Sequence, residues 1–162
     1  MARVFRQRGA RHTFGGQSPW PPPGKTPEER WWPRVVGRTS RYYTRGVWEV
    51  DVEYVADWLA SLDDDSRAQV VAAIQVLQEF GPQLGRPLVD SVVASRHRNM
   101  KELRPGSSGR SELRVLFALD PVRRGILLVA GDKAGNWQRW YRQNLPIADD
   151  LFDEHLRRLR EE

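Results

Sequence analysis

The chain has 162 residues, 40% hydrophobic and 29% charged, with no cysteine; this suits one domain with a modest core and excludes disulfides, thiolate metal sites and cysteine nucleophiles. The net charge of +5 is unevenly placed, because residues 1–46 hold nine Arg and Lys25 against only Glu28 and Glu29. That segment is +8 and the remaining 116 residues, with 16 basic and 19 acidic groups, are −3, so the chain as a whole is not simply a basic nucleic-acid binder.

Residues 1–46 include "GGQSPWPPPGKTPEERWWP", with six prolines and three glycines and no sustained apolar period. The expectation is a disordered basic Pro/Gly/Trp-rich extension. The alternative is an arm gripping nucleic acid, with Trp20, Trp31 and Trp32 as stacking groups. No apolar run approaches the ~18 residues of a membrane span and no signal-peptide core is visible, so a cytoplasmic protein without membrane contact is expected.

From Val47 the pattern sharpens. "VWEVDV" alternates as a first strand, and Val52, Val55, Leu59 and Leu62 then recur at helical spacing. "DDDSRAQVVAAIQVLQEFGP" reads as a second helix, with Ser66 and Gln69 as a capping box, acids at its start, Gly81-Pro82 as its stop, and Val70, Ile74 and Leu77 on one face. The short connection implies a helical hairpin. After a turn-rich stretch come three strand candidates, "NMKELR", "SELRVLFALD" and "RGILLVAGD". In the middle one, Leu113, Val115, Phe117 and Leu119 share a face and Arg114 points to the other. "DPVRRG" is a hairpin turn with Pro121 at its second position and Gly125 closing it. "PIADDLFDEHLRRLREE" is a C-terminal helix. The order β-α-α-β-β-β-α implies an α+β domain, with a mostly antiparallel sheet, a helical hairpin on one face and an open second face.

The later strands concentrate cations, and "GDKAGNWQRWY" adds Lys133, Trp137, Arg139, Trp140 and Tyr141 at the end of the last strand. A cationic open face rimmed by aromatics is what phosphate contacts and base stacking require. The opposing reading keeps the cations solvated or paired and the rings in the core. His12, His97 and His155 lack metal-ligand spacing and are expected at the surface; "GDKAGN" lacks the spacing of a phosphate-binding loop. No metal and no cofactor are expected. The remaining groups, Arg and Lys in the sheet plus Tyr141, suit phosphoryl transfer in which an RNA 2′-hydroxyl attacks its own neighbouring phosphate. Lys133 serves as base there only if neighbouring cations depress its pKa, and Tyr141 faces a similar demand.

"MKELRPGSSGRSELRVLFALD" followed by "ILLVAGDKAGNWQRWY" resembles the RelE/HigB-like toxins of bacterial type II toxin–antitoxin systems, in particular the phage-derived HigB-type branch. The resemblance runs from about Val47 to Leu156 and implies a RelE-like fold for residues 47–162. It also implies a metal-independent endoribonuclease that enters the ribosomal A site, cuts mRNA and is neutralised by a small helix-turn-helix antitoxin. By position, it implies that Arg114 contacts the scissile phosphate, that Lys133 is the basic group after the last strand, and that Tyr141 is an acid/base or stacking group. Lys101 and Arg104 match backbone-holding positions, with Arg139 and Trp137 as further RNA contacts. The chain departs from the pattern in following Lys133 with Ala134-Gly135-Asn136 and in its "NWQRWY" aromatics. The rival functions are a ParE-like gyrase inhibitor and a non-enzymatic nucleic-acid or protein-binding module.

Overall fold

The computed structural model describes residues 48–107 and 109–162; the basic extension of residues 1–46 and the expectation of disorder attached to it lie outside them. Five strands form one mixed sheet in the order β1-β5-β4-β3-β2: β1 (Glu49–Asp51), β2 (Val89–Ser91), β3 (Met100–Leu103), β4 (Leu113–Leu119) and β5 (Arg124–Asp132). All pairings are antiparallel except β1 with β5. The helices are α1 (Ala56–Ser61), α2 (Asp64–Phe80) and α3 (Trp137–Glu161). The α+β class and the largely antiparallel sheet are those expected from the sequence.

One face is covered as the helical periodicity predicts. Val55, Leu59, Val70, Ala73, Ile74 and Leu77 pack with Leu103, Leu113, Val115, Phe117 and Leu127 in one buried cluster. The start of α2 differs in detail: Asp63 is the N-cap, accepting from the Ser66 backbone N–H at 2.9 Å, and Ser66 is buried inside the first turn. Asp beats Ser here because it stands in extended backbone one residue before the helix. Arg67 satisfies the carbonyls left over where α1 ends, donating from Nε to Leu59 and from Nη2 to Ala60 at 3.0 and 2.8 Å. Gly81 closes α2 with φ +52°, and a Cβ there would lie 2.2 Å from the Trp48 indole.

The second face is not left open. Met100, Leu116, Ala118, Ile126 and Leu128 are buried with Leu145, Ala148 and Phe152 of α3. The sequence reading began this helix at Pro146; it begins nine residues earlier, at Trp137, where Asn136 accepts from the Arg139 backbone N–H at 3.0 Å. Pro146 is tolerated inside the helix because it and Arg142, whose carbonyl loses its partner, are exposed to water. A register shift between β4 and β5 lets both clusters fill: Leu128 and Val129 both pack on the α3 side, and the alternation is inverted beyond them. The hairpin between β4 and β5 is organised by Asp120, whose Oδ1 accepts from the Val122 and Arg124 backbone N–H groups at 3.0 and 2.8 Å. Arg123, not a glycine, takes the left-handed conformation, and Gly125 already belongs to β5.

Candidate active site

Three chain segments meet beside the N-terminal turns of α3. Arg114 enters from β4, opposite Gly131 of β5, and alternation places it on the α3 side with Leu116 and Ala118. Gly131 lets the helix approach, since a Cβ there would lie 2.8 Å from Trp140 Nε1. Tyr141, one helical turn from Trp137, meets the rings of Trp137 and Trp140 edge-on at centroid distances of 6.3 and 5.1 Å. Lys133 Nζ lies 5.9 Å from the centre of the Tyr141 ring and 3.4 Å from Glu112 Oε2. The stretch that follows β5 is therefore the opening of a helix, and its aromatics divide: Trp140 and Tyr141 pack on the second cluster, whereas Trp137 stays 56% exposed.

Arg114 differs from the other partly buried arginines. Arg67, Arg104 and Arg124 each hold a carboxylate, but Arg114 makes no ion pair among the described residues. Its Nη1 donates to the Leu113 carbonyl at 2.7 Å, and its Nε is buried with no partner among the described residues. A partly desolvated guanidinium with unused donors is prepared for an oxyanion, and a phosphate matches its fork.

Tyr141 donates its hydroxyl proton to Glu102 Oε2. Burial pushes the phenol well above its ordinary pKa, the Glu102 hydrogen bond and charge add to this, and Arg114 and Arg104 only partly offset it. The side chain is thus a neutral phenol at physiological pH, not a phenolate base. Glu102 itself is 3% exposed and also accepts from Arg104 Nε at 2.7 Å. Arg104 continues to Asp90 Oδ2 at 2.7 Å, so a chain of charges, buried at Glu102 and partly exposed at Arg104 and Asp90, runs from the tyrosine to β2.

The sequence-predicted residues therefore separate. Arg114, Lys133, Tyr141 and Trp137 come together. Arg104 lies near them but is held by Glu102 and Asp90. Arg139 is exposed in the first turn of α3. Lys101 is not brought in: it pairs with Phe117 and alternates with Leu103, which puts it on the face of α1 and α2. Sequence reasoning missed Glu102, which in "MKEL" reads as one more strand carboxylate and is buried only once β3 is in place. The histidines were expected at the surface, yet both described ones are largely covered, with His97 Nε2 2.9 Å from Asp153 and His155 Nε2 2.9 Å from Asp120. They lie outside this site, His155 on the far part of α3 and His97 in the loop between β2 and β3 that packs against it.

Comparison with known proteins matches residues 57–153 to the family of phage-derived Gp49-like proteins. A Mycobacterium tuberculosis (strain ATCC 25618 / H37Rv) protein named "Putative toxin HigB2" is 52% identical over 128 residues, 79% of this chain and 64% of that protein. A second protein of the same strain, named "Putative toxin HigB3", is 54% identical over 102 residues, 63% of this chain and 87% of its own length. The chain thus spans somewhat less than two thirds of the first relative. The first match is longer than the 116 residues from Val47 onward, so it reaches at least 12 residues into the basic extension. With a family match across most of the domain and two relatives above half identity, the chain belongs to the phage-derived Gp49-like family as a HigB-like member.

Proposed function

We propose that the protein is the toxin of a type II toxin–antitoxin pair, acting as a metal-independent endoribonuclease on mRNA in the ribosomal A site. The observation that carries this reading is Arg114: a half-buried guanidinium with no ion pair among the described residues, near Tyr141, whose ring Lys133 also meets. In this reading Arg114 clamps the scissile phosphate and spreads the charge of the pentacoordinate transition state. Lys133 adds a second cation, and Trp137, exposed at the start of α3, stacks on a neighbouring base. The nucleophile is the substrate's own 2′-hydroxyl, so the protein's part is positioning, electrostatics and proton transfer. Residues 47–162 form the toxin domain. The partner is a small helix-turn-helix antitoxin that covers this corner or blocks ribosome entry, and the site of action is the cytoplasm.

The test is to induce the full chain in a bacterial host and map new 5′ ends across its transcripts. Cuts inside translated frames that vanish with Arg114→Ala support the reading. Growth arrest with DNA damage signalling and no cuts would replace it with gyrase inhibition, and salt-dependent binding without products would replace it with a binding module.

A further inference from the structure

Tyr141 sits at the corner with Arg114 and Lys133, yet its only proton is committed inward. The hydroxyl donates to Glu102 Oε2, and the other oxygen of that carboxylate is held by Arg104. Arg104 is in turn fixed by Asp90 across the sheet edge. Glu102 is 3% exposed, and neither of its oxygens is left idle. A phenol has one donor and acceptor lone pairs; once the donor is spent on a buried carboxylate, only acceptor capacity faces a ligand.

We propose that Glu102 is a positioning residue that locks Tyr141 as a hydrogen-bond acceptor for an RNA 2′-hydroxyl, giving the site its preference for RNA over DNA. The proposal rests on the RNA-directed reading above. The 2′-hydroxyl is the group that separates the two nucleic acids, and an acceptor that cannot rotate into a donor engages it without competing for the phosphate that Arg114 holds. The groups facing the phenol are Glu102 and Arg104 from the β3 side, Arg114 from β4, Lys133 after β5, and the rings of Trp137 and Trp140 on its own helix. Of these, Glu102 accepts the phenolic hydrogen bond. Burial and Glu102 together keep that proton on the phenol.

The test uses the full chain and a pair of fluorescent single-stranded oligonucleotides of equal length and sequence, one RNA and one with 2′-deoxyribose throughout, at low temperature. Their phosphate charge is the same, so the ratio of their Kd values isolates the sugar. One hydrogen bond corresponds to a preference of about 5-fold for RNA. Glu102→Gln, whose amide can donate to the phenol and turn its proton outward, is expected to lower the ratio toward 1, because the freed donor is drawn to the charged phosphate oxygens that both oligonucleotides share. Tyr141→Phe should do the same, and the double variant should be no worse than either single one. Titration of the tyrosine absorbance near 295 nm, taken as the difference from Tyr141→Phe, should show Tyr141 ionising at lower pH in Glu102→Gln. Should Glu102→Gln fail to fold, Tyr141→Phe still decides through the ratio. A lower melting temperature for Glu102→Gln with the RNA/DNA ratio and tyrosine titration unchanged would reduce Glu102 to a structural pin and overturn the proposal. A wild-type ratio of 1 would also overturn it. Failure of the nuclease reading looks different: RNA is preferred in binding but is not cut on ribosomes.

Discussion

The replacement Phe152→Ala interrogates the feature that most changed the picture of this domain, the long C-terminal helix lying on the second face of the sheet. Phe152 is 1% exposed and shares its cluster with Met100, Leu116, Ile126 and Leu128 of the sheet. Its ring also meets the His97 ring edge-on at 4.9 Å. Truncating a fully buried Phe removes its transfer free energy and leaves a cavity, about 3–5 kcal/mol in all. The upper half of that range is expected, because the ring is contacted from the sheet side and from the 92–99 loop, and aromatic contacts of this kind add about 0.5–1.5 kcal/mol beyond burial. At about 4 °C per kcal/mol for a domain of this size, Tm should fall by roughly 16–20 °C. The assay is urea unfolding followed by far-UV circular dichroism, with Ile147→Ala as the control. Ile147 lies on the same helix but is 51% exposed, and its removal should stay within about 0.5 kcal/mol. Equal costs for the two variants, or less than about 1 kcal/mol for Phe152→Ala, would mean that the helix does not pack on the sheet, and the assembly of Tyr141 with Arg114 would lose its basis.

Asn136→Ala removes the cap of α3 and should cost about 1 kcal/mol, while Asn136→Ser should recover most of it; indifference to both would place the helix start elsewhere. Asp120 is pulled two ways: burial raises its pKa, but hydrogen bonds from the Arg124 backbone, His155 and the Arg124 guanidinium prevail and lower it. A carboxylate lowered in the folded state contributes stability that is present above its unfolded pKa of about 3.9 and is lost as pH falls through the lower folded value. Asp120→Asn should therefore flatten the loss of stability below about pH 4, and an unchanged acid limb would count against the assignment. Lys101→Ala should leave RNA cleavage within a few-fold, because Lys101 lies on the face of α1 and α2. A loss comparable to that of Arg114→Ala would require RNA to reach both faces.

Much of the fold was legible because its elements carry their own punctuation. The Asp63–Asp65 start and Gly81-Pro82 stop bracket α2, and the period-2 pattern of Leu113, Val115, Phe117 and Leu119 fixes which way Arg114 points. The start of α3 was hidden for a physical reason. Pro146 imitates a helix start, whereas the actual cap, Asn136, follows a glycine and precedes aromatics that read equally well as a loop. The second core was hidden for another reason: Ala148 and Phe152 already lie in the helix expected from Pro146 onward, but their docking on the second face of the sheet is a long-range contact that no local pattern states. Within the site, Arg114, Lys133 and Tyr141 were found as residue types suited to phosphate chemistry, but their mutual distances depend on the pairing of Arg114 with Gly131 and on the bulge at Leu128–Val129, which no local pattern specifies. Glu102 escaped because a lone carboxylate in a strand reads as solvent-exposed until its partners, Tyr141 39 residues on and the Arg104 guanidinium that Asp90 fixes across the sheet, are in place.

The central claim is that Arg114 holds the phosphate that is cut. Its most direct test is cleavage of a defined mRNA on translating ribosomes by the purified wild-type chain and by Arg114→Ala, with circular dichroism showing both folded. Discrete cuts with 2′,3′-cyclic phosphate and 5′-hydroxyl ends are expected from the wild type and none from Arg114→Ala. Equal cleavage by the two proteins would contradict the assignment of Arg114, and no cleavage by either would contradict the nuclease itself.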